Sequence, residues 1–153
     1  MRTNVAVAAV VALQALSSTL GWADTAPRKG TAVLVPAADV KWSDVPEAKG
    51  VQIAALDGDP AKGPAHFFLK FAGGFAAPAH HHTADHFVTV VAGTLVLNVD
   101  GKDQKLPAGS FFTIAGQKPH TTRCEAGTEC VLAMDARGPW DVVPEGGDAP
   151  AKK

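Results

Sequence analysis

The stretch that decides the fold is GFAAPAHHHTADHFVTVVAG, residues 74–93. Its central segment, HHHTADH, holds four of the six histidines in a chain of 153 residues. Side chains alternate between the two faces of a strand, so His80 and His82 are expected to share a face while His81 points away. If the TAD segment turns the chain, a strand that begins at His86 brings a third imidazole back to this pair.

The surrounding sequence reads as short strands separated by turns. Apolar or alternating runs such as VQIAAL, AHFFLKFA, TLVLNVD, SFFTIA and ECVLAMDA are divided by segments rich in Gly, Pro and Asp. Asp100-Gly101 is a two-residue hairpin signal, because glycine accepts the positive φ of such turns. No sustained 3.6-residue apolar stripe follows the N-terminal region. This pattern predicts an all-β sandwich or barrel.

The N-terminal region has the features of a secretory signal peptide. Arg2 precedes an apolar run at 5–16, and the small residues Gly21 and Ala23 follow. The run is too short to span a bilayer, so no membrane insertion is expected once the leader is removed. We therefore expect a periplasmic or secreted protein. The expected segments are a signal peptide at 1–23, a flexible segment at 24–32, one folded domain at 33–143 and a flexible tail at 144–153.

Charge and length exclude several function classes. The formal net charge is −1, and no basic block is available to follow nucleic-acid phosphates. No basic amphipathic helix suggests a membrane-surface protein. The mature chain is long enough to bury one core. A single globular domain that binds neither nucleic acid nor a membrane surface is therefore expected.

Two cysteines, Cys124 and Cys130, bracket the segment EAGTE. In an oxidising compartment such a pair is usually a disulfide. A tight loop in this segment would place the two cysteines opposite one another, which suits a cross-strand bridge that closes a hairpin. A thiolate metal ligand or a reactive thiol is the alternative.

The spacing around the histidines resembles a known motif. Gly74 is followed after five residues by His80, after one more by His82, after three more by His86 and after six more by a final glycine. This spacing resembles the first motif of the cupin superfamily. Here histidine replaces the glutamate that the family usually has. The segment GSFFTIAGQKPHTTRC, residues 109–124, is similar to the second cupin motif. Its histidine, His120, is in register, while the proline, the second glycine and the asparagine of the motif are replaced by Ala115, Gln117 and Cys124.

The resemblance implies a single cupin domain at 33–143, a jelly-roll barrel also known as a double-stranded β-helix. In that family the ligands of the two motifs converge on one metal ion. Imidazole nitrogens suit a divalent transition metal such as Fe, Mn, Ni, Cu or Zn, and suit calcium or magnesium poorly. The ligands implied here are His80, His82, His86 and His120.

Other residues are expected to surround this site. Trp42 and Trp140 are expected to cover the ends of the barrel, and His66 is interpreted as a core residue or one that supports the ligands. In each adjacent phenylalanine pair, one ring should face outward, and an outward ring on a barrel suggests a possible homodimer. The candidates to support the ligands are Lys70, Asp85, Thr122 and Arg123.

Two functions remain open from the sequence. The first is a metal-dependent enzyme, oxygenase-like, that acts on a small anionic or carbonyl-bearing molecule. The alternative is a non-catalytic cell-envelope cupin that binds or senses a metal or ligand. The chain has no tyrosine, so cupins that use tyrosine as an acid or base, such as deoxysugar epimerases and some sulfoniopropionate lyases, are poor models. Flavonol dioxygenases and oxalate-handling cupins, which use a glutamate ligand, are poor models as well.

Overall fold

The computed structural model describes residue 30 and residues 32–146. The predicted signal peptide, most of the segment at 24–32 and residues 147–153 of the predicted tail lie outside the described residues. The chain divides into two units, 1–32 and 33–153, and the second contains the strands described below. Among the residues that the structure describes, no helix has the length and apolar character needed to cross a membrane.

Two antiparallel sheets make up the described fold, preceded by a short 3-10 helix at Ala37–Asp39. The strands are β1 (Ser43–Asp44), β2 (Val51–Asp57), β3 (Ala65–Phe71), β4 (Ala76–His81), β5 (His86–Ala92), β6 (Thr94–Val99), β7 (Lys102–Pro107), β8 (Phe111–Ile114), β9 (His120–Cys124), β10 (Cys130–Ala136) and β11 (Val143–Pro144). The larger sheet has the order β1-β2-β3-β10-β5-β8, and the smaller has the order β11-β4-β9-β6-β7. From β3 onward the chain crosses between the sheets at every connection except β6 to β7. The predicted all-β jelly roll is confirmed.

The core lies between the two sheets and follows the alternation of the strands. On β3, Phe67, Leu69 and Phe71 are buried, while the residues between them face outward. On the neighbouring strand β10, Leu132 and Met134 are buried on the same side. Removing each of these side chains from water contributes about 2 kcal/mol, so this inner face holds the sheets together.

The predicted hairpin at Asp100-Gly101 is confirmed. β6 and β7 are antiparallel neighbours, and Val99 lies opposite Lys102 at the end of the pair. Asp100 has φ 53° and Gly101 has φ 76°. Two successive residues with positive φ form the turn type whose twist matches that of the flanking strands.

The predicted disulfide forms, but the predicted hairpin around it is wrong. Cys124 and Cys130 are bonded, with their Cα atoms 5.8 Å apart. β9 pairs with β4 and β6 in the smaller sheet, whereas β10 pairs with β3 and β5 in the larger one. Both edges of each strand are therefore already occupied. The bridge joins the two sheets across the core instead of linking neighbours within one sheet.

The folded domain extends slightly beyond the predicted boundary at residue 143. Pro144, predicted to lie in the flexible tail, is instead in β11 opposite His80. The next residue, Glu145, donates its main-chain N–H to the Ala79 carbonyl at 2.9 Å. Within the described residues, the last strand pairing is therefore made with the strand that carries His80.

The adjacent phenylalanines of β8 face opposite directions, as predicted. Phe111 is 61% exposed on the outer face of the larger sheet, at the edge strand. Phe112 packs toward the interior against the core. Dimerisation through this outer face remains a prediction.

Candidate metal centre

Three of the four predicted ligands meet where β4 and β9 lie side by side. His80, on β4, is directly opposite His120, the first residue of β9. His82 follows β4 on the same face as His80. All three side chains are buried, and their nearest ring nitrogens lie within 4.8 Å of one another. This grouping places three donor atoms within reach of one shared ion.

The backbone fixes the protonation pattern of these three rings. In each ring, Nδ1 lies within hydrogen-bonding distance of a main-chain carbonyl oxygen. A carbonyl oxygen only accepts, so Nδ1 carries the proton and the lone pair of Nε2 stays available to a ligand. The pairs are His80 with Pro78 (2.7 Å), His120 with Lys118 (3.0 Å) and His82 with Asp141.

A β-bulge explains how the Pro78 carbonyl becomes available. The register of β4 against β9 shifts between Ala77 and His80. Proline has no N–H to contribute to a ladder, so it is tolerated where the ladder is interrupted. The interruption leaves the Pro78 carbonyl to accept from His80, and this contact orients the imidazole.

His86 approaches the cluster from the other sheet. It is the first residue of β5, and its ring centroid lies 4.7 Å from that of His82 and 6.0 Å from that of His120. The side chain is buried, and its Nδ1 has no hydrogen-bond partner. A buried polar atom without a partner is costly. The Ala84 main chain interacts with this ring more weakly than the carbonyls that hold the other three rings, so the role of His86 as fourth ligand belongs to the proposal below.

Burial keeps all four imidazoles neutral. It lowers the pKa of His82 to about 3 and that of His86 to about 4. It also lowers the pKa of His80 and of His120 below the usual value of 6.5. Neighbouring imidazoles add to the effect, because two protonated rings would repel each other. At neutral pH the cluster therefore presents lone pairs rather than positive charges.

These features fit a divalent transition metal. Neutral imidazole with its other nitrogen fixed by an acceptor is the usual form of a histidine ligand. Such ligands suit Fe, Mn, Ni, Cu or Zn. Within the described residues the cluster that could hold an ion contains histidines only, so the ion would keep its full positive charge.

Two residues predicted to support the ligands lie close to them. Thr122 is buried beside His120 on the inward face of β9. Asp85 lies in the turn before His86, and its carboxylate accepts from the Gly116 N–H at 2.7 Å. Asp85 thus connects the turn of the first motif to the turn that precedes His120.

The other two predicted supporting residues face away from the site. Lys70 lies on the outer face of β3, with its ammonium 4.3 Å from the ring centre of Trp42. Arg123 lies on the outer face of β9 and pairs with Asp103 at 3.0 Å. In each strand the inward positions are those of the alternate residues, so these cations do not line the histidine cluster.

His66 and His81 are both outside the cluster. His66 is exposed on the outer face of β3, so its interpretation as a core or supporting residue is wrong. His81 points away from His80 and His82, as predicted, and its Nδ1 lies 2.5 Å from the carboxylate of Glu145.

The segment at 140–141 is the part of the site that the sequence did not reveal. Trp140, predicted to cover an end of the barrel, stacks on His82 with ring centres 3.9 Å apart and meets His86 edge-on. The Asp141 carboxylate accepts from the N–H of Thr83 at 2.8 Å and from its hydroxyl at 2.6 Å. No spacing rule marks this segment, because it is a loop far along the chain.

The cluster lies at the wall of a cavity of about 1130 Å³. All four histidines line it, together with Thr122, Trp140 and apolar side chains of both sheets. This volume is slightly larger than that of most small-molecule sites, which measure about 300–1,000 Å³. The predicted ligands therefore face a space that can hold an organic molecule.

Solved structures with the same fold have several activities. The polyketide cyclase RemF from Streptomyces resistomycificus is 22% identical, with a TM-score of 0.65 over 77% of this chain and 88% of that one. The DMSP lyase DddQ from Ruegeria pomeroyi is 17% identical, with a TM-score of 0.60 over 74% and 64%. The complex of SigE with the anti-sigma ChrR from Rhodobacter sphaeroides is matched at 24% identity, with a TM-score of 0.54 over 66% and 51%. At these identities the likeness shows the fold.

The sequence comparisons agree with this fold. Among curated proteins, none matches the sequence of this chain. Residues 67–135 match the family model for the cupin domain, and they run from β3 to β10 of the jelly roll, including all four clustered histidines. This match identifies residues 67–135 as a cupin domain, and the jelly-roll fold of the described strands agrees with it.

Proposed function

We propose that this cupin is a metal-dependent enzyme, oxygenase-like, that acts on a small carbonyl-bearing molecule. One divalent transition metal would be held by His80, His82 and His120, with His86 as a fourth ligand. The observation that carries the proposal is the protonation pattern of the first three rings. Each donates Nδ1–H to a carbonyl and keeps Nε2 for a ligand.

The surrounding residues would prepare the site for chemistry. A bound divalent ion would supply Lewis-acid polarisation of an oxygen on the bound molecule. Trp140 covers His82 and His86 and shields them from water. The Thr122 hydroxyl, buried on the cavity wall, is available to donate a hydrogen bond to an oxygen atom held near His120.

Two of the solved structures that share the fold support an enzymatic role. They are described as a polyketide cyclase and a DMSP lyase, so the fold accommodates reactions of small organic molecules. Among the described residues, the cluster contains histidines only, so no carboxylate ligand of the metal could act as a base. Reactions that need such a base fit this site poorly.

The same absence of a base favours a second function. Neutral histidines alone can hold an ion without turning anything over, so a non-catalytic metal- or ligand-binding sensor of the cell envelope is the alternative. The fold it shares with the anti-sigma ChrR is compatible with a sensor.

The disulfide supports export. A bond between Cys124 and Cys130 forms and persists in an oxidising compartment. Together with the leader at 1–23, this supports a periplasmic or secreted protein. N-terminal sequencing of the exported protein tests this proposal, and a mature chain that does not begin near residue 24 would contradict it.

The enzyme and the sensor differ in oxygen uptake. The protein should be loaded in turn with Fe, Mn, Ni, Cu and Zn, and oxygen uptake measured with a panel of small carbonyl and phenolic compounds. Uptake with a redox-active metal supports the oxygenase. If one metal binds per chain and no compound is consumed with any metal, the sensor replaces the enzyme.

The role of His86 can be tested by restoring the usual cupin ligand. His86→Glu supplies the carboxylate of the family motif and should still bind one metal per chain. His86→Ala should bind the metal about tenfold more weakly or worse, since one donor is lost. Equal affinity in wild type and His86→Ala would remove His86 from the ligand set.

A further inference from the structure

His82 differs from the other two clustered histidines in the origin of its hydrogen-bond partner. His80 and His120 each donate Nδ1–H to a carbonyl only two residues earlier in the chain. His82 donates Nδ1–H to the carbonyl of Asp141, which lies 59 residues further along the chain. The backbone next to His80 and His120 therefore orients those two rings, whereas the orientation of His82 depends on a distant segment.

The turn at 83–85 gives this distant segment a firm attachment point. The N–H of Gly116 donates to the Asp85 carboxylate at 2.7 Å, and the N–H of Arg137 donates to the Asp85 carbonyl at 2.9 Å. A side-chain carbon on Gly116 would overlap the Thr83 carbonyl, so the two turns are in close contact. The turn is thus held by the connection before β9 and by the end of β10.

Asp141 is attached to this turn through its side chain. One carboxylate oxygen accepts from the Thr83 N–H at 2.8 Å, and the other accepts from the Thr83 hydroxyl at 2.6 Å. Hydrogen bonds to a carboxylate are about twice as strong as those between neutral groups. The carboxylate and the carbonyl belong to one residue, so the two bonds to Thr83 fix the carbonyl that orients His82.

Main-chain hydrogen bonds hold the rest of the segment independently of the Asp141 side chain. The N–H of Trp140 donates to the Pro60 carbonyl at 2.7 Å, and Val143 pairs with His81 in β11. A substitution at residue 141 leaves these bonds in place. Loss of the carboxylate should therefore loosen the Asp141 carbonyl without releasing the whole segment.

We propose that Asp141 is a positioning residue for the metal site. Its carboxylate, attached to Thr83, holds the carbonyl that directs Nε2 of His82 toward the ion. The cluster that could hold an ion does not include Asp141 itself, so the residue acts through His82. This role rests on the proposed function, because the ion is part of that function.

Two substitutions of Asp141 test whether its hydrogen bonds carry this role. Asp141→Ala removes both bonds to Thr83. Asp141→Asn retains them, because the amide oxygen accepts from the N–H and the amide nitrogen donates to the hydroxyl oxygen. Glu145→Ala is the matched control on the same segment, since that carboxylate contacts His81, which is not a predicted ligand.

Nitrogen NMR of the histidine side chains shows which ring nitrogen carries the proton. The full-length protein is measured before an ion is added, because a bound ion would itself fix the tautomer. In wild type, Asp141→Asn and Glu145→Ala, His82 should be protonated on Nδ1 only. In Asp141→Ala, His82 should become a mixture of both tautomers, while His80 and His120 keep Nδ1–H and show that the fold is intact. A single Nδ1–H tautomer of His82 in Asp141→Ala, a mixture in wild type, or loss of the fixed tautomer in all three rings overturns the inference.

Titration with Co²⁺ measures how much this orientation contributes to metal binding. Asp141→Ala should bind the ion at least about tenfold more weakly than wild type. Asp141→Asn and Glu145→Ala should bind like wild type. An equal loss in Asp141→Asn would contradict a role of the hydrogen bonds, and an equal loss in Glu145→Ala would contradict a role specific to Asp141.

The two measurements keep this inference separate from the proposed function. If wild type binds no ion but Asp141→Ala frees the His82 ring, the proposed function fails and the positioning of His82 by Asp141 stands. If wild type binds one ion per chain and Asp141→Ala changes neither the tautomer nor the affinity, the metal site stands and the inference fails.

Discussion

At the scale of single residues, Gln117 is under backbone strain. Its φ is 64°, in the left-handed region that glycine accepts more readily than other residues. The cupin motif has glycine at this position. The turn survives the replacement because the N–H of Gln117 donates to the His82 carbonyl at 2.7 Å. This hydrogen bond links the turn directly to a predicted metal ligand.

Replacing Gln117 by glycine should stabilise the protein. Gln117→Gly relieves the strain and should raise the free energy of unfolding by about 1 kcal/mol. Urea denaturation monitored by circular dichroism measures the change. Gln104→Gly, on the exposed strand β7, is the control and should be neutral or destabilising. If Gln117→Gly lowers the free energy of unfolding, the glutamine side chain stabilises the fold by more than the strain of its positive φ destabilises it.

Residue-level prediction from the sequence succeeded where alternation and motif spacing applied. Successive side chains of a strand point to opposite faces. This alternation correctly predicted that His80 and His82 are buried and that His81 points outward. The prediction that Lys70 and Arg123 support the ligands was wrong, because the same alternation places them outward: the inward residues of their strands are Leu69, Phe71 and Thr122. Trp140 could not be found in this way, because its position depends on how the loop after β10 returns to the histidines.

At the scale of secondary-structure elements, two turn signals gave different outcomes. Asp100-Gly101 closes a hairpin because β6 and β7 have no competing partners on their shared edge. The segment between Cys124 and Cys130 does not close a hairpin, because β9 and β10 each already pair with two other strands. Local sequence predicts a turn, but long-range pairing decides whether its strands become neighbours.

The disulfide should stabilise the protein as a link between the sheets. Replacing Cys124 and Cys130 by serine together removes a short closed loop and should lower the free energy of unfolding by about 2 kcal/mol. Denaturation of wild type with and without reductant provides the comparison, and reductant should have no effect on the double variant. Equal stability of oxidised and reduced wild type would contradict this role.

At the scale of the whole molecule, acid should destabilise the metal-free protein. In the unfolded chain these histidines have a pKa near 6.5, whereas in the folded protein burial lowers the pKa of His82 to about 3 and of His86 to about 4. Between these values the unfolded chain binds protons that the folded chain does not, so stability falls as the pH falls. At pH 5 each of the two imidazoles should cost about 2 kcal/mol relative to neutral pH.

Denaturation of the metal-free protein at pH 7 and pH 5 measures this loss. His82→Gln removes one of the buried bases, so its loss of stability should be smaller than that of wild type by about 2 kcal/mol. His66→Gln, which alters an exposed histidine, should lose as much as wild type. An equal loss in His82→Gln and wild type would show that the buried imidazole does not govern the acid sensitivity.

The central claim is that histidines from separate strands hold one metal ion, and Co²⁺ titration followed by its visible absorption tests it most directly. Wild type should bind one ion per chain. His120→Ala should bind it about a hundredfold more weakly or worse, because a ligand on β9 is lost. His81→Ala, which changes the adjacent HHH tract but not the cluster, should bind like wild type. Full binding by His120→Ala, or an equal loss in His81→Ala, would mean that the tract alone captures the metal and that the shared centre does not exist.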